Sequence, residues 1–161
     1  MNNKTVALIL PYNNKFEIIL QRRKGFINKP VKVDYGFFGG HLEKGETVRQ
    51  TLKREIKEEL SINVRDIKSL KFFKKYQYEI KEKEILIELH VFLCKIGDVA
   101  KMKVNEGKPA TLKLKEAINL NISKMDKQIL EEVYDFLLKN KLKSGLLNSH
   151  LISHSHTPNN L

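Results

Sequence analysis

Residues 39–62 read Gly-Gly-His-Leu-Glu-Lys-Gly-Glu-Thr-Val-Arg-Gln-Thr-Leu-Lys-Arg-Glu-Ile-Lys-Glu-Glu-Leu-Ser-Ile and join a glycine-rich loop to an acidic helix. Thr47 and Gln50 match a capping box, because the threonine oxygen can accept a first-turn N–H and the glutamine can reach back. Apolar residues then recur at every fourth position and predict one buried stripe: Val48, Leu52, Ile56 and Leu60. The helix is therefore predicted to begin just after Thr47.

Three carboxylates crowd one side of this helix. At about 100° per residue, Glu55, Glu58 and Glu59 project within an arc of roughly 100°. They repel one another unless a cation lies among them, and carboxylate oxygens suit a hard ion such as Mg²⁺ or Mn²⁺. The alternative is a solvated face on which Arg54 and Glu58 form an ordinary helical ion pair.

The loop and helix together resemble the box of the MutT-like Nudix hydrolase superfamily. The matching string is Gly40, five residues, Glu46, seven residues, Arg54-Glu55-Ile56, one residue and Glu58-Glu59. The family pattern continues with any residue, a glycine and an aliphatic residue, whereas this chain has Leu60, Ser61 and Ile62. Glycine at that point normally gives a left-handed helix end, so Ser61 predicts a different helix exit and leaves the carboxylates unaffected.

The resemblance implies both a fold and a reaction. The residue pattern alone supports an α/β or α+β domain, and the Nudix likeness narrows this to an α/β/α sandwich with a mixed β-sheet. The implied reaction is Mg²⁺- or Mn²⁺-dependent hydrolysis of a phosphoric anhydride bond in a nucleoside diphosphate linked to another group. The chemistry needs acids because cations must neutralise the phosphate oxygens and lower the pKa of the attacking water.

Roles for individual residues follow from the same likeness. The expected metal ligands are Glu55, Glu58 and Glu59. Arg54 would orient these carboxylates through Glu46, and Gly40 would keep the loop tight. Many Nudix proteins supply a further acid beyond the box as ligand or general base. Glu106 is the best positional match for it, with a solvent-facing turn acid as an equal alternative, and the identity of the base stays open.

Basic and aromatic residues just before the box are candidates for substrate contacts. Arg22 and Arg23 end a predicted strand, and their planar guanidinium groups suit a phosphate; a solvated strand end is the alternative. Phe37 and Phe38 could stack on a base, although a core role is favoured for at least one. The pair 39–40 lets the backbone approach a ligand closely, because glycine lacks a Cβ atom.

The substrate class is less constrained than the reaction. Compact Nudix enzymes often act on nucleoside triphosphates, including oxidised ones, which makes this the first expectation. A tyrosine at the distance of Tyr78 from the box is associated in the family with dinucleoside polyphosphates, which are therefore the second expected substrate class. A tyrosine in a strand is, however, usually there for packing. A non-catalytic RNA-binding module with a Nudix fold is the alternative from another class, and the retained acids argue against it.

Composition limits the possible classes of protein. A chain of 161 residues with 41% hydrophobic content has room for one domain with a real core. No apolar run approaches the roughly 20 residues needed to cross a bilayer. Cys94 is the only cysteine, so a cytoplasmic location is the default. The net charge of +11 favours polyanionic partners, either phosphorylated small molecules or nucleic acid. The alternative is a general bias toward lysine in the composition. The sequence does not indicate an oligomeric state.

Periodicity and turn residues predict the remaining elements. The predicted strands cover residues 5–10, 16–22, 35–38, 64–78, 85–96 and 110–114, with a short helix at 115–120. Ser123 is predicted to cap a last helix that buries Ile129, Leu130, Val133, Phe136 and Leu137.

Glu88 and His90 interrupt the apolar strand 85–96 and are candidates for a base or substrate contact, or lie at a sheet margin. Residues 1–143 are expected to form the domain and 144–161 a flexible tail whose histidines need no metal.

Overall fold

The computed structural model describes residues 2–22, 34–61, 67–99, 102–105 and 108–152, with side chains up to residue 145 apart from Ser61. Nine strands, three α-helices and a short 3₁₀ helix at Lys81–Lys83 lie in these ranges. In chain order the strands and α-helices are β1 Asn2–Tyr12, β2 Glu17–Arg22, β3 Tyr35–Gly36, β4 Phe38–His41, α1 Val48–Glu59, β5 Leu60–Ser61, β6 Ile67–Ile80, β7 Ile85–Ile96, β8 Lys103–Val104, β9 Lys108–Lys113, α2 Leu114–Ala117 and α3 Lys124–Ile152. The predicted strands are found with boundaries shifted by a few residues, except that the single strand predicted at 35–38 is two strands, β3 and β4, with different partners.

The main sheet is mixed. Its strand order is β3-β2-β1-β7-β6, with β4 also paired to β1 and β9 also paired to β2. The long strands β1 and β7 run parallel, from Asn2 opposite Ile85 to Tyr12 opposite Lys95, whereas β6 pairs antiparallel with β7. Strands β5 and β8 form a separate two-stranded ladder. This sheet with helices is the expected α/β fold.

Helices cover the sheet on both sides and enclose two hydrophobic clusters. Under α1, Leu52 packs with Ile9 and Phe92. On the opposite face, α3 contributes Leu130 and other residues to a larger cluster. Alternate residues of β7 point into the two clusters, as the period of two along a strand requires. The layers therefore place α1 on one side of the sheet and α2 and α3 on the other.

The start and end of α1 follow from local chemistry. The Gln50 N–H donates to Thr47 Oγ1 at 3.3 Å, and the Thr47 N–H donates back to Gln50 Oε1 at 2.8 Å, so the predicted capping box is confirmed. At the other end Leu60 is extended, with φ −113°, and the chain passes directly into β5. The helix therefore exits without a left-handed residue, which is consistent with serine at position 61.

One expectation about α3 needs correction, and another stays a prediction. Phe136 is 42% exposed and lies outside the core, because its ring packs on Phe73 at 5.4 Å at the margin of the helix. The backbone stays helical to Ile152, so the change in composition at Ser144 does not mark the end of the helix. The division into a domain and a tail after residue 143 stays a prediction. None of the helices in the described ranges is both long and apolar enough to cross a membrane.

Candidate active site

Arg54 is the centre of a dense ionic cluster at the junction of the loop and α1. Its Nε and Nη2 donate to the two carboxylate oxygens of Glu46, each at 2.9 Å, which is the bidentate geometry of a strong pair. Nη2 also donates to the His41 carbonyl at 3.1 Å. Thr51, which is buried, donates its hydroxyl to Glu46 Oε2 at 2.8 Å. These bonds fix the guanidinium between the loop and the helix.

The remaining donor of Arg54 faces the helix carboxylates. Nη1 donates to Glu55 Oε1 at 2.7 Å and to Glu58 Oε2 at 3.3 Å. Glu55 is buried, whereas the Glu58 side chain is 53% exposed. The predicted contact of Arg54 with both Glu46 and the helix acids is therefore present, and Arg54 holds one buried and one exposed acid on the same side of α1.

The two buried acids of α1 press against the glycine pair. The Gly39 N–H donates to Glu59 Oε2 at 2.6 Å. A Cβ atom on Gly40 would lie 2.8 Å from Glu55 Cδ and would overlap the nearer carboxylate oxygen. Gly39 itself has φ +123°, a conformation that other residues rarely adopt. The glycines thus make room for carboxylates that a larger residue would displace.

Electrostatics explains why Glu46 and Arg54 are charged at neutral pH. Hydrogen bonding to Arg54 is the main reason that the pKa of Glu46 falls from 4.5 to about 2, and the N–H of Glu43 adds to the effect. The same contact with Glu46 raises the pKa of Arg54 above its usual value. Both groups therefore stay ionised across the physiological range.

The donor chemistry of α1 fits a hard divalent cation, although the side chains do not surround one. Glu55, Glu58 and Glu59 offer only carboxylate oxygens, which are the ligands that Mg²⁺ and Mn²⁺ prefer. Among the residues that the structure describes, no three acidic, histidine or cysteine side chains converge closely enough to hold an ion. Arg54 donates to one carboxylate oxygen of Glu55, and the Gly39 N–H donates to one carboxylate oxygen of Glu59.

The predicted substrate-binding residues differ in how exposed their side chains are. Phe38 is fully buried under α1 and Phe37 is 2% exposed in the other cluster, so the prediction that Phe38 contacts substrate is wrong. Both rings are needed for packing. Arg22 is exposed at the end of β2, and Tyr78 is 39% exposed on the α3 side of β6, which is the face of the sheet opposite α1. Arg23 and Glu106 lie outside the described residues.

Glu88 and His90 form a separate cluster on β7. Glu88 accepts hydrogen bonds from Lys75 and Gln77 and contacts His90 Nε2 at 2.5 Å. The bond to His90 is the main reason that the pKa of Glu88 falls to about 2. Glu88 and His90 are hydrogen-bonded to each other at the sheet surface. Neither residue forms a hydrogen bond with the acids of α1.

Sequence reasoning did not identify Thr51 or the backbone at His41 as parts of the site. Thr51 could have been noticed, because a polar residue one turn after the cap faces the same side as Glu55. The His41 carbonyl carries no side-chain signal, since any residue supplies it.

Comparison with family models shows which family this architecture represents. The model described as NUDIX domain matches residues 1–133, which include the loop, α1 and the whole main sheet. The chain belongs to the NUDIX family. Nudix hydrolases bind nucleotide substrates and generally use a divalent metal such as Mg²⁺, and this chain is a hydrolase of that family acting on phosphoric anhydride bonds. The search of curated proteins gave no match.

Solved structures share the Nudix fold at low identity. A MutT, from work on the Aliivibrio salmonicida and Vibrio cholerae proteins, is 18% identical with a TM-score of 0.63, over 82% of this chain and 97% of that one. The E. coli dihydroneopterin triphosphate pyrophosphohydrolase is 20% identical with a TM-score of 0.62, over 82% and 97%. A C. elegans Ap4A hydrolase is 20% identical with a TM-score of 0.63, over 85% and 99%. These likenesses establish the fold and leave the substrate open.

Proposed function

We propose that this Nudix hydrolase cleaves a nucleoside triphosphate, including oxidised forms, into two phosphorylated products. The observation that carries the proposal is the ionic cluster in which Glu46 and Arg54 hold Glu55 beside Glu58, against the glycine pair 39–40. A merely solvated helix face has no reason to bury an acid against glycine.

Each residue of the cluster has a definite part in this proposal. Glu55, Glu58 and Glu59 would hold Mg²⁺ or Mn²⁺, which supplies charge neutralisation at the phosphate oxygens and a lower pKa for the attacking water. Arg54 is a positioning residue, because it fixes the direction of the carboxylates and is itself fixed by Glu46.

The reaction balances without any further reactant. A water oxygen forms a bond to phosphorus, the phosphorus–oxygen bond of the anhydride breaks, and the bridging oxygen leaves with the second phosphate product. One of the acids accepts the proton of the water, either from α1 or from a loop acid such as Glu106. Arg22, and Arg23 beside it, would bind a phosphate, and the backbone at Gly39 and Gly40 lets the substrate approach the helix.

A panel of nucleotides with Mg²⁺ tests the proposal, with phosphate and pyrophosphate release as readouts. Glu58→Gln should reduce kcat by at least about a hundredfold, because it removes a charged ligand without disturbing a buried side chain. Glu131→Gln is the matched control, because this exposed acid lies on α3 away from the cluster. Absence of turnover on every nucleotide, with salt-sensitive RNA binding kept by the Glu58 variant, would contradict the proposal and favour a binding module.

Dinucleoside polyphosphates are a second candidate substrate class. Tyr78 supports it, since this ring is exposed and a stacking surface for a second base is what such a substrate needs. The C. elegans neighbour is described as an Ap4A hydrolase. Tyr78→Ala should then raise KM for Ap4A more than for a nucleoside triphosphate, whereas equal effects would argue against this candidate.

A cytoplasmic location is also part of the proposal. The free, buried thiol of Cys94 accords with it.

A further inference from the structure

A groove separates the first two turns of α1 from strands β6 and β7. It has a volume of about 540 Å³, within the range of roughly 300–1,000 Å³ found for small-molecule sites. Val48 and Leu52 form its helical wall, and Leu70, Phe72 and Phe92 form its floor on the sheet. The groove is therefore a cavity of nucleotide size with mainly apolar walls.

The floor of the groove exposes aromatic surface. Phe72 is 55% exposed, although its ring lies 5.5 Å from that of Phe92 and 6.1 Å from that of His90. Leu70 beside it is 38% exposed. Glu88 holds His90 by one ring nitrogen, which fixes the imidazole at the edge of the groove. An exposed phenylalanine supported by two rings is a suitable surface for a flat aromatic ligand.

The rim of the groove is positively charged, and no acidic residue lines it in the described part of the chain. Arg49 and Lys53 line the groove. Within the described ranges, the ion pairs of this face engage Lys75 with Glu88 but neither Arg49 nor Lys53. The two cations, one helical turn apart, therefore complement an anionic group placed above the apolar floor.

The groove is distinct from the site of the helix acids. At about 100° per residue, Arg49 and Lys53 leave α1 roughly 180° and 140° from Glu58, and none of the three helix acids lines the groove. A second copy of this chain is an unsuitable occupant, because a two-fold contact would bring the Arg49 and Lys53 side chains of both copies together. We propose that the groove binds a free nucleoside phosphate, with the base against Phe72 and the phosphate on Arg49 and Lys53, as a second nucleotide site separate from the hydrolytic one.

Binding of AMP to the full-length chain tests the inference by calorimetry in the presence of EDTA. AMP has no anhydride bond, so the result does not depend on hydrolysis. Phe72→Ala and Lys53→Glu should each weaken AMP binding by about tenfold, because each removes one half of the ligand's contacts. The controls are Phe136→Ala, a phenylalanine with similar exposure on α3, and Lys57→Glu on α1 outside the groove; both should bind AMP like the unmodified chain.

Further measurements locate the bound AMP and distinguish a free nucleotide from a nucleic acid as the ligand. Glu58→Gln should leave AMP affinity unchanged, and amide shifts in nuclear magnetic resonance should appear at Phe72 and His90, not at Gly40. The inference is overturned if the unmodified chain does not bind AMP, or if Glu58→Gln abolishes binding while Phe72→Ala keeps it. It is also overturned if a single-stranded oligonucleotide binds more than about tenfold more tightly than AMP, since the face would then be a nucleic-acid surface.

Discussion

At Gly39 and Gly40, one added methyl group should have two different consequences. On Gly40 it overlaps only the end of the Glu55 side chain, which can rotate away. Gly40→Ala should therefore lower kcat about a hundredfold, as a misplaced catalytic group does, with little loss of stability. On Gly39 the methyl meets the Ala7 carbonyl oxygen at φ +123°, so Gly39→Ala should lower the free energy of unfolding by about 2 kcal/mol or more.

Urea unfolding and steady-state kinetics on the two alanine variants separate these effects. Gly45→Ala is a useful control, because this glycine has φ +86° but nothing within 4 Å of its Cβ position. It should lose stability through the backbone alone and keep the position of Glu55. A Gly40→Ala variant with unchanged kcat would show that Glu55 does not need its place against the loop.

Glu46 makes stability depend on pH in the acidic range. Folding lowers its pKa from 4.5 to about 2, so its contribution to the free energy of unfolding is complete above about pH 4.5 and is lost as the pH falls toward 2. Glu88 acts in the same window, since its pKa also falls to about 2. Glu46→Gln should reduce the change in the free energy of unfolding between pH 4.5 and 2. The double variant, which carries Glu46→Gln and Glu88→Gln, should reduce it further. Denaturation curves between pH 2 and 6 measure this, and an unchanged slope in the double variant would contradict it.

The element that could be predicted best from sequence is α1, yet its buried face also includes residues that the sequence did not predict. The capping box and helix start are found, because they depend on neighbours within four residues. Of the predicted stripe, Leu52 and Leu60 are buried, whereas Val48 and Ile56 are only partly covered. Thr51, Glu55 and Glu59 are buried alongside them. Hydrophobic periodicity cannot show this, because the space for the acids comes from the glycines of another element.

The capping box of α1 should contribute measurably to stability. Thr47→Ala removes the side-chain acceptor for the Gln50 N–H and should lower the free energy of unfolding by about 1 kcal/mol. Thr47→Ser keeps a hydroxyl at the same point and should cost much less. Circular dichroism during urea titration measures both. Equal losses in the two variants would mean that the methyl group of Thr47, and not the cap, is responsible.

For the whole molecule, sequence indicated the faces of β7 but not its partners. The period of two along the predicted strand 85–96 puts Leu89 and Phe92 on opposite sides, and the structure has them in different clusters. The parallel pairing of β1 with β7 joins segments about 80 residues apart and leaves no local signal. Phe136 was misassigned for a related reason: helical spacing gives the core-facing arc but not the width that the sheet covers.

The extent of the folded unit is a prediction at this scale. Leu137 is the last buried side chain among those described, so the core should not need residues 144–161. A chain ending at residue 143 should keep its free energy of unfolding within about 0.5 kcal/mol. A chain ending at residue 133, where the family match ends, loses Leu137 and should be destabilised by about 2–5 kcal/mol. Comparable losses in both truncations would place residues 144–161 inside the cooperative unit.

Binding of Mn²⁺, followed by electron paramagnetic resonance, tests the central claim that the acids of α1 gather a divalent cation. The unmodified chain should bind Mn²⁺, and Glu58→Gln and Glu59→Gln should each weaken that binding at least about tenfold, a loss typical for a metal ligand. Glu131→Gln should bind as the unmodified chain does. No binding with or without nucleotide, or equal binding by all four proteins, would contradict the account.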